Sequence, residues 1–384
     1  MEVPGKQIII FPDCLRLTKI LPKRRILLRI GDTVRPLVLL LLYALLASVP
    51  MHTQTAIAVK DAAIDRLDPG ASAILPADAH LEKFATCCTW LEGPAFAPDG
   101  RLFVTDTDLN ELLTLSPTGA IKVFKKPSGT TDPGFHGKEP GTNGNVFDPS
   151  GRLTVAGHAM REIFRFDHLD GASPLTVLTN RYQGKRFNSP NDLVFASDGS
   201  LYFTDPPYGL ATQSDTDPAR ELPFNGVFLL RGAASKPAGS APSEPVLLLR
   251  DLTRPNGVAL SPDEKYLYVA NSDPANPVWM RYPRKADGTV GAGTVLLNSK
   301  GASGVGGPDG IKVDVKGNIY GAGPGGIWIL SPEGKHLATI HVPERVANCV
   351  FGGADNKMLY ITASSSVYRI HLAVPGLRLA RAGK

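Results

Sequence analysis

The sequence predicts an all-β fold, a six-bladed β-propeller with blades of about four antiparallel strands, and three observations lead there. A hairpin-like pattern recurs six times. Glycine and proline, 39 and 33 of 384 residues, are spread along the chain instead of clustering in one linker. No stretch sustains the 3.6-residue apolar period of an amphipathic helix. The composition, 43% hydrophobic and 20% charged, supplies a full core and excludes both wholesale disorder and a disulfide-stapled miniprotein. A net charge of +5, much of it within the first 36 residues, gives no basic surface for nucleic acid.

The repeats open at Glu92, Asn143, Asn191, Asn256, Asp309 and Asn348, separated by 51, 48, 65, 53 and 39 residues. Each is a short apolar run, a turn of Pro, Asp, Ser or Gly, and a second run of alternating Leu, Tyr, Val and Phe. Turn chemistry and period both describe a β-hairpin. A third strand pattern follows each hairpin, at 112–115, 163–166, 226–230, 278–282, 326–330 and 366–371. Spacings near 40–50 residues suit one four-stranded blade per repeat. The long interval comes from residues 211–245, read as a surface excursion or partial lid. Propellers often close by combining both termini in one blade, so residues 78–88 are expected to complete the blade containing Asn348.

The first 58 residues read as an address. Lys23, Arg24, Arg25, Arg29 and Arg35 precede an uncharged run at 37–47, and Ala56-Ile57-Ala58 follows as a small-x-small cleavage signal. Eleven apolar residues are too few for a bilayer span, which needs about 20. The expected mature chain is 59–384, exported to the periplasm or secreted, with no stable membrane span after cleavage. Arg24-Arg25 faintly resembles a twin-arginine signal. Export permits disulfides. With Cys14 in the leader, Cys87, Cys88 and Cys349 remain, and either Cys349 pairs with one of the adjacent cysteines or all three are buried thiols.

The first position of the repeat carries the chemistry. In every copy it is a carboxylate or an amide, where an apolar residue could equally pack. If that position opens the innermost strand of each blade, six side-chain oxygens face the central axis. Hard divalent cations take such a site, because Ca²⁺ binds six to eight oxygens from carboxylates and amide carbonyls. Asn-Gly is also a hairpin-turn signal, which suits Asn143-Gly144 and Asn256-Gly257 but not Glu92-Gly93-Pro94. For Asn143 and Asn348, capping or ring hydrogen bonds explain the residue as well as ligation does. His136 and His158 read as surface or hydrogen-bonding residues, Trp90 as core, and Asp205 and Asn271 as facing neighbouring blades.

Leu91-Glu92-Gly93-Pro94, Ser189-Pro190-Asn191-Asp192, Phe203-Thr204-Asp205-Pro206-Pro207-Tyr208-Gly209, Arg254-Pro255-Asn256-Gly257 and Gly307-Pro308-Asp309-Gly310 together resemble the SMP-30/gluconolactonase/LRE-like family. The resemblance spans roughly residues 85–371. It implies a six-bladed propeller with one divalent cation at the tunnel mouth. The implied metal residues are Glu92, Asn191, Asn256 and Asp309, with calcium as the first expectation and zinc, magnesium and manganese also compatible with oxygen donors. The resemblance also implies that Asp309 is the catalytic acid/base of a lactonase. In some animal members an Arg that binds sugar hydroxyls stands where this chain has Ser189, so aldonolactone specificity is less firmly implied.

The expected function is gluconolactonase-like hydrolysis of a sugar lactone to the aldonic acid, with Asn143 and Asn191 orienting the substrate and Tyr208 walling the pocket. Two alternatives stay open: hydrolysis of organophosphates or aryl esters at the same metal site, and a non-catalytic periplasmic propeller that binds a ligand. A serine hydrolase has little support, since no Gly-x-Ser-x-Gly elbow occurs and Gly301-Ala-Ser303-Gly304 reads as a loop.

Overall fold

The computed structural model describes residues 56–60 and 62–378. Among them, six antiparallel sheets of four or five strands follow one another along the chain, with a two-stranded hairpin, Arg181–Tyr182 and Lys185–Arg186, between the second and third. Blade 1 comprises Leu91–Phe96, Leu102–Asp106, Glu111–Leu115 and Ile121–Lys125. Blade 2 comprises Asn145–Phe147, Leu153–Gly157, Glu162–Phe166 and Leu175–Thr179, and blade 3 Leu193–Phe195, Leu201–Asp205, Gly226–Leu230 and Val246–Leu249. Blade 4 is built from Pro255–Leu260, Tyr266–Asn271, Val278–Pro283 and Thr294–Asn298. Blade 5 takes Ile311–Val313, Ile319–Gly323, Gly326–Leu330 and His336–His341, and blade 6 opens with Val346–Gly352, Met358–Ala363 and Ser366–His371.

The fourth strand of blade 6 is Glu82–Thr86, which pairs Ser366 with Thr86 and Arg369 with Glu82. The ring therefore closes by joining the two ends of the propeller, as expected for residues 78–88. Two further strands extend the outer edges. Ile57–Ala58 pairs with Glu82–Lys83 on blade 6, and Ile64–Arg66 pairs with Ala338–Ile340 on blade 5. The Arg66 guanidinium donates to the carbonyls of Leu75 (2.8 Å) and Pro76 (2.6 Å), which ties the second of these strands to the segment around the short 3-10 helix Pro69–Ala73. The small-x-small segment of the expected leader is thus itself part of a strand. The basic and apolar runs of the leader, Cys14 included, lie outside the described residues, and among the described residues no helix is long and apolar enough to cross a membrane.

The core lies between blades, where residues of adjacent sheets alternate into shared clusters. Tyr320, Ile327 and Ile329 of blade 5 pack with Ile361 and Tyr368 of blade 6. Phe203 stacks on Phe228 within blade 3 (centroids 5.3 Å apart), and Trp279 of blade 4 meets Trp328 of blade 5 at 5.5 Å. Every second strand is almost wholly buried, from LFVTD in blade 1 to IYGAG in blade 5. That burial explains why these strands read as continuous apolar runs.

Two expectations need correction here. Residues 211–245 do not form one excursion, because Gly226–Leu230 is the third strand of blade 3 and splits the interval into two loops. Strand direction puts the loop at 206–225 at the end of the blade where Asn191 lies, and the loop at 231–245 at the opposite end. The expected cysteine pairing is also wrong: Cys87 and Cys88 bridge each other, and Cys349 is a free buried thiol with Sγ 3.6 Å from the Tyr320 carbonyl. Cys349 sits on the innermost strand of blade 6, so the sheet itself holds it away from the loop carrying the other two.

The closing strand has a measurable consequence. A chain beginning at Asp68 lacks both fifth strands and is expected to fold with a lower urea midpoint. A chain beginning at Thr89 lacks Glu82–Thr86 as well, exposes a long unpaired edge and should show no cooperative urea transition.

Candidate active site

The six repeat-opening residues stand at the start of the innermost strands, and all are buried: Glu92, Asn143, Asn191, Asn256 and Asn348 to 4% exposure or less, Asp309 to 8%. Strand pairing shifts register at this point in blades 1, 4 and 6, between Glu92 and Ala95, Pro255 and Val258, and Val346 and Asn348. Such bulges turn a side chain out of the sheet plane, here toward the axis.

The residue after each ring position shows how closely the blades meet. A Cβ on Gly93 would lie 2.0 Å from the Asn143 carbonyl oxygen, on Gly144 2.4 Å from that of Asn191, on Gly257 2.2 Å from that of Asp309, and on Gly310 2.0 Å from the Asn348 side chain. Hydrogen bonds complete the circuit. The Gly144 amide donates to Asn191 O (2.8 Å), the Thr204 hydroxyl to Asn256 O (2.7 Å), and Asn348 Nδ2 to Glu92 Oε2 (3.3 Å). The glycines that read as turn signals are in fact required by contact between neighbouring spokes.

Within this ring Glu92 and Asp309 act on each other. Burial, and to a lesser degree nearby carboxylates, push Glu92 up to about 7, against the opposing pull of the Gly93 amide that it accepts at 2.9 Å. Burial and then the Glu92 charge raise Asp309 well above the usual carboxylate range. Asn143 Oδ1, Asn256 Oδ1 and Asp309 Oδ1 are buried and without a hydrogen-bond partner among the described residues. Buried oxygens are rarely left so. A set of two carboxylates and several amide oxygens, with no histidine or cysteine at the ring positions, has the donor chemistry of a hard-cation site.

Asn348 departs from the others. Its Oδ1 accepts from the Cys349 amide (2.8 Å) and from Lys312 Nζ (3.3 Å), so it braces the ring and keeps no oxygen free for the axis. Lys312 lies 3.6 Å from Asp192 Oδ2 and donates to the Ile311 carbonyl at 2.9 Å. This pair sits beside the ring and leaves the Asn256 and Asp309 oxygens unpartnered. The sequence carries its signal: Asp192 replaces the glycine found after four of the ring residues, and Lys312 stands where the other repeats have Ala, Val or Phe.

Three supporting groups were misread or missed. Asp205 and Asn271, expected to face neighbouring blades, instead clamp the loop entering their own blade, as does Asp106. Asp106 accepts from Thr89 N (2.7 Å), Asp205 from Asn188 N (2.8 Å) and Ser189 N (2.7 Å), and Asn271 Oδ1 from Arg254 N (2.7 Å). His158 is fully buried, with Nδ1 3.1 Å from the Pro190 carbonyl and Nε2 3.2 Å from Glu139 Oε2, in ion-pair range though out of hydrogen-bond alignment. Glu139 had no sequence signal, sitting in a Gly/Pro-rich loop. Burial would raise its carboxyl, but His158, the Gln213 amide and the Lys138 charge together outweigh that and hold it below the ordinary value. Gln213, in the mouth-side loop, donates to Glu139 Oε1 (2.8 Å) and to the Tyr208 carbonyl (2.9 Å). Ser189 donates to the Pro206 carbonyl and accepts from Gly209 N at 2.8 Å, so its hydroxyl is used inside the protein. Tyr208 is half-buried. Burial first, then the Asp309 carboxylate, push its phenol far up, which keeps the hydroxyl protonated beside the ring.

A closed wheel of six sheets, four of four strands and two of five, with an acidic and amide-lined mouth at one end of its axis, defines a class of propeller hydrolases and binding proteins. Residues 84–365 match the SMP-30/gluconolactonase/LRE-like region, and the chain belongs to that family. It is 38% identical over 319 residues to a gluconolactonase of Zymomonas mobilis, covering 80% of this chain and 85% of the relative. A lactonohydrolase of Aspergillus oryzae is 26% identical over 246 residues, 59% of this chain and 53% of the relative. Among solved structures, a gluconolactonase of Xanthomonas campestris superposes with a TM-score of 0.69 at 28% identity, over 83% of this chain and 97% of its own.

Two outcomes follow from this geometry. Lys312→Met leaves the buried Asp192 carboxylate without its cation, and urea denaturation should show a loss of about 3 kcal/mol. A carboxyl raised in the folded state stabilises the fold below its unfolded value and loses that contribution as pH rises to the folded one. In chelator, stability should therefore fall between pH about 4.5 and about 7, by at most roughly 3 kcal/mol from Glu92. Calorimetric melting across that range, repeated with added Ca²⁺, should show the loss and its reversal.

Proposed function

We propose that this chain is a hydrolase of carboxylic ester bonds, a lactonase that opens a sugar lactone such as glucono-1,5-lactone to its aldonic acid. The observation that carries the reading is the set of unpartnered buried oxygens, Asn143 Oδ1, Asn256 Oδ1 and Asp309 Oδ1, gathered beside Glu92 at one axis. Membership of the family and the 38% identity to a gluconolactonase support the substrate class.

A divalent cation, calcium by its oxygen donors, would be held by Glu92, Asn191, Asn256 and Asp309. Bound there, it would supply Lewis-acid polarisation of the lactone carbonyl and stabilise the developing oxyanion. The chain's own residues perform the rest. Asp309 accepts a proton from the attacking water through its unpartnered Oδ1, then returns one to the departing ring oxygen. Asn143 and Asn191 offer amide groups to the sugar hydroxyls and fix the carbonyl over Asp309. Tyr208, held protonated, donates a hydrogen bond and walls the pocket, while the Gln213–Glu139 contact keeps the mouth-side loop in place over it. We also place the protein in an exported compartment, a reading supported by the basic-apolar-small leader pattern and by the Cys87–Cys88 disulfide.

A pH-stat assay over sugar lactones, aryl esters and phosphotriesters, with and without EDTA, tests the reading. Acid release from sugar lactones that EDTA abolishes and Ca²⁺ restores is the expected result. Selective phosphotriester cleavage, or no turnover of any substrate, would sink it. Asp309→Asn should lower kcat at least a hundredfold while the thermal melt of the calcium-free protein stays cooperative.

A further inference from the structure

The residues two or three places ahead of each ring position form the rim of the mouth, and two of them carry guanidinium groups. Arg254, two before Asn256, is committed: its Nη1 bonds Asp215 Oδ2 (2.8 Å) and the Thr253 carbonyl (2.6 Å). Arg345, three before Asn348, is different. It is exposed, its guanidinium carbon lies 5.1 Å from the centre of the Trp90 ring, and its side chain makes no hydrogen bond or ion pair among the described residues, the backbone carbonyl alone accepting from the Ser364 amide at 3.0 Å. Trp90 is in turn fixed by its own backbone, which donates to Asp106 Oδ1 and accepts from the Thr107 amide. On the other side the loop before Asp309 approaches the Arg345 stem, with a Cβ on Gly306 falling 3.7 Å from Cγ. Arg345 is close enough to Asp309 and Tyr208 for its charge to act on both.

We propose that Arg345, presented on the Trp90 face, is the binding group for the carboxylate of the hydroxy-acid product. Glu92, Asp309 and Glu139 bring carboxyl groups to the mouth, so apart from a cation held by Glu92 and Asp309 the uncommitted guanidinium of Arg345 is the rim group suited to an anion. Hydrolysis creates a carboxylate from the attacked carbonyl, so the new negative charge appears next to Asp309. A planar guanidinium with all its donors available matches a carboxylate in a bidentate fork, and stacking on an aromatic face orients that fork while leaving its edge open. Arg345 thus determines how tightly the acid is retained, and it favours ligands that carry a carboxylate over neutral polyols of the same length.

The proposal rests on the lactonase reading only for the identity of the acid. The test uses the full chain with Ca²⁺, sodium gluconate as the probe and sorbitol as its uncharged counterpart, in titration calorimetry and as inhibitors of glucono-1,5-lactone hydrolysis. Arg345→Met should weaken gluconate at least tenfold and sorbitol by less than twofold, and Arg345→Lys should recover part of the gluconate affinity. A purely structural role for the Trp90 stack would move both ligands together and would overturn the proposal, as would unchanged gluconate binding in Arg345→Met or no gluconate binding by the wild-type chain. If the wild-type chain binds gluconate through Arg345 yet hydrolyses no lactone, the carboxylate site stands and the lactonase reading alone fails.

Discussion

Six inner strands converge at one end of the molecule until a single Cβ would collide with the next blade, at 2.0–2.4 Å for Gly93, Gly144, Gly257 and Gly310. That crowding is the constraint from which the mouth follows. It brings Glu92 and Asp309 together in a place that water does not freely reach, where two like charges cannot both be comfortable. The local arrangement reads as a set of responses. Asn348 turns its amide nitrogen toward Glu92, and three other oxygens remain without donors. A cation held by Glu92, Asn191, Asn256 and Asp309 would relieve the repulsion and engage the Asn256 and Asp309 oxygens, leaving Asn143 Oδ1 open to a substrate hydroxyl.

The ring is held by a layer that takes no direct part in it. Asp106, Asp205 and Asn271 end the second strands of blades 1, 3 and 4 and capture the backbone amides entering those same blades. Each therefore sets the position of the ring residue two or three places further on. Glu139 and His158 do comparable work between blades: the imidazole meets the carbonyl of Pro190, the residue before Asn191, while the carboxylate meets Gln213 of the mouth-side loop. Precision at a site of this kind comes from such second contacts as much as from the residues facing the axis.

Closure binds this end of the chain to the same region. Glu82–Thr86 completes blade 6, and within six residues the chain passes the Cys87–Cys88 bridge and Trp90 to reach Glu92. The strand that seals the wheel and the loop that forms part of the rim are one continuous segment. Stability of the ring and shape of the mouth are coupled there.

Much of this was legible in the residues alone. Six copies of a strand–turn–strand pattern required blades, and a polar residue opening every copy marked the axis, because local periodicity and repeat phase are properties of the chain itself. Asp192 and Lys312 were visible as breaks in that pattern, but only the fold shows that they answer each other across 3.6 Å. The partner of Cys87, the inward turn of Asp205 toward its own blade, the burial of His158 against Glu139 and the rim position of Arg345 depend on which loops meet at one end of a closed wheel. Apart from the bridge between the adjacent Cys87 and Cys88, those contacts join residues more than a dozen to hundreds of positions apart, and no local preference encodes them. Repetition thus settled the blades and the axis, while packing across the ring decided which side chains remain available for chemistry.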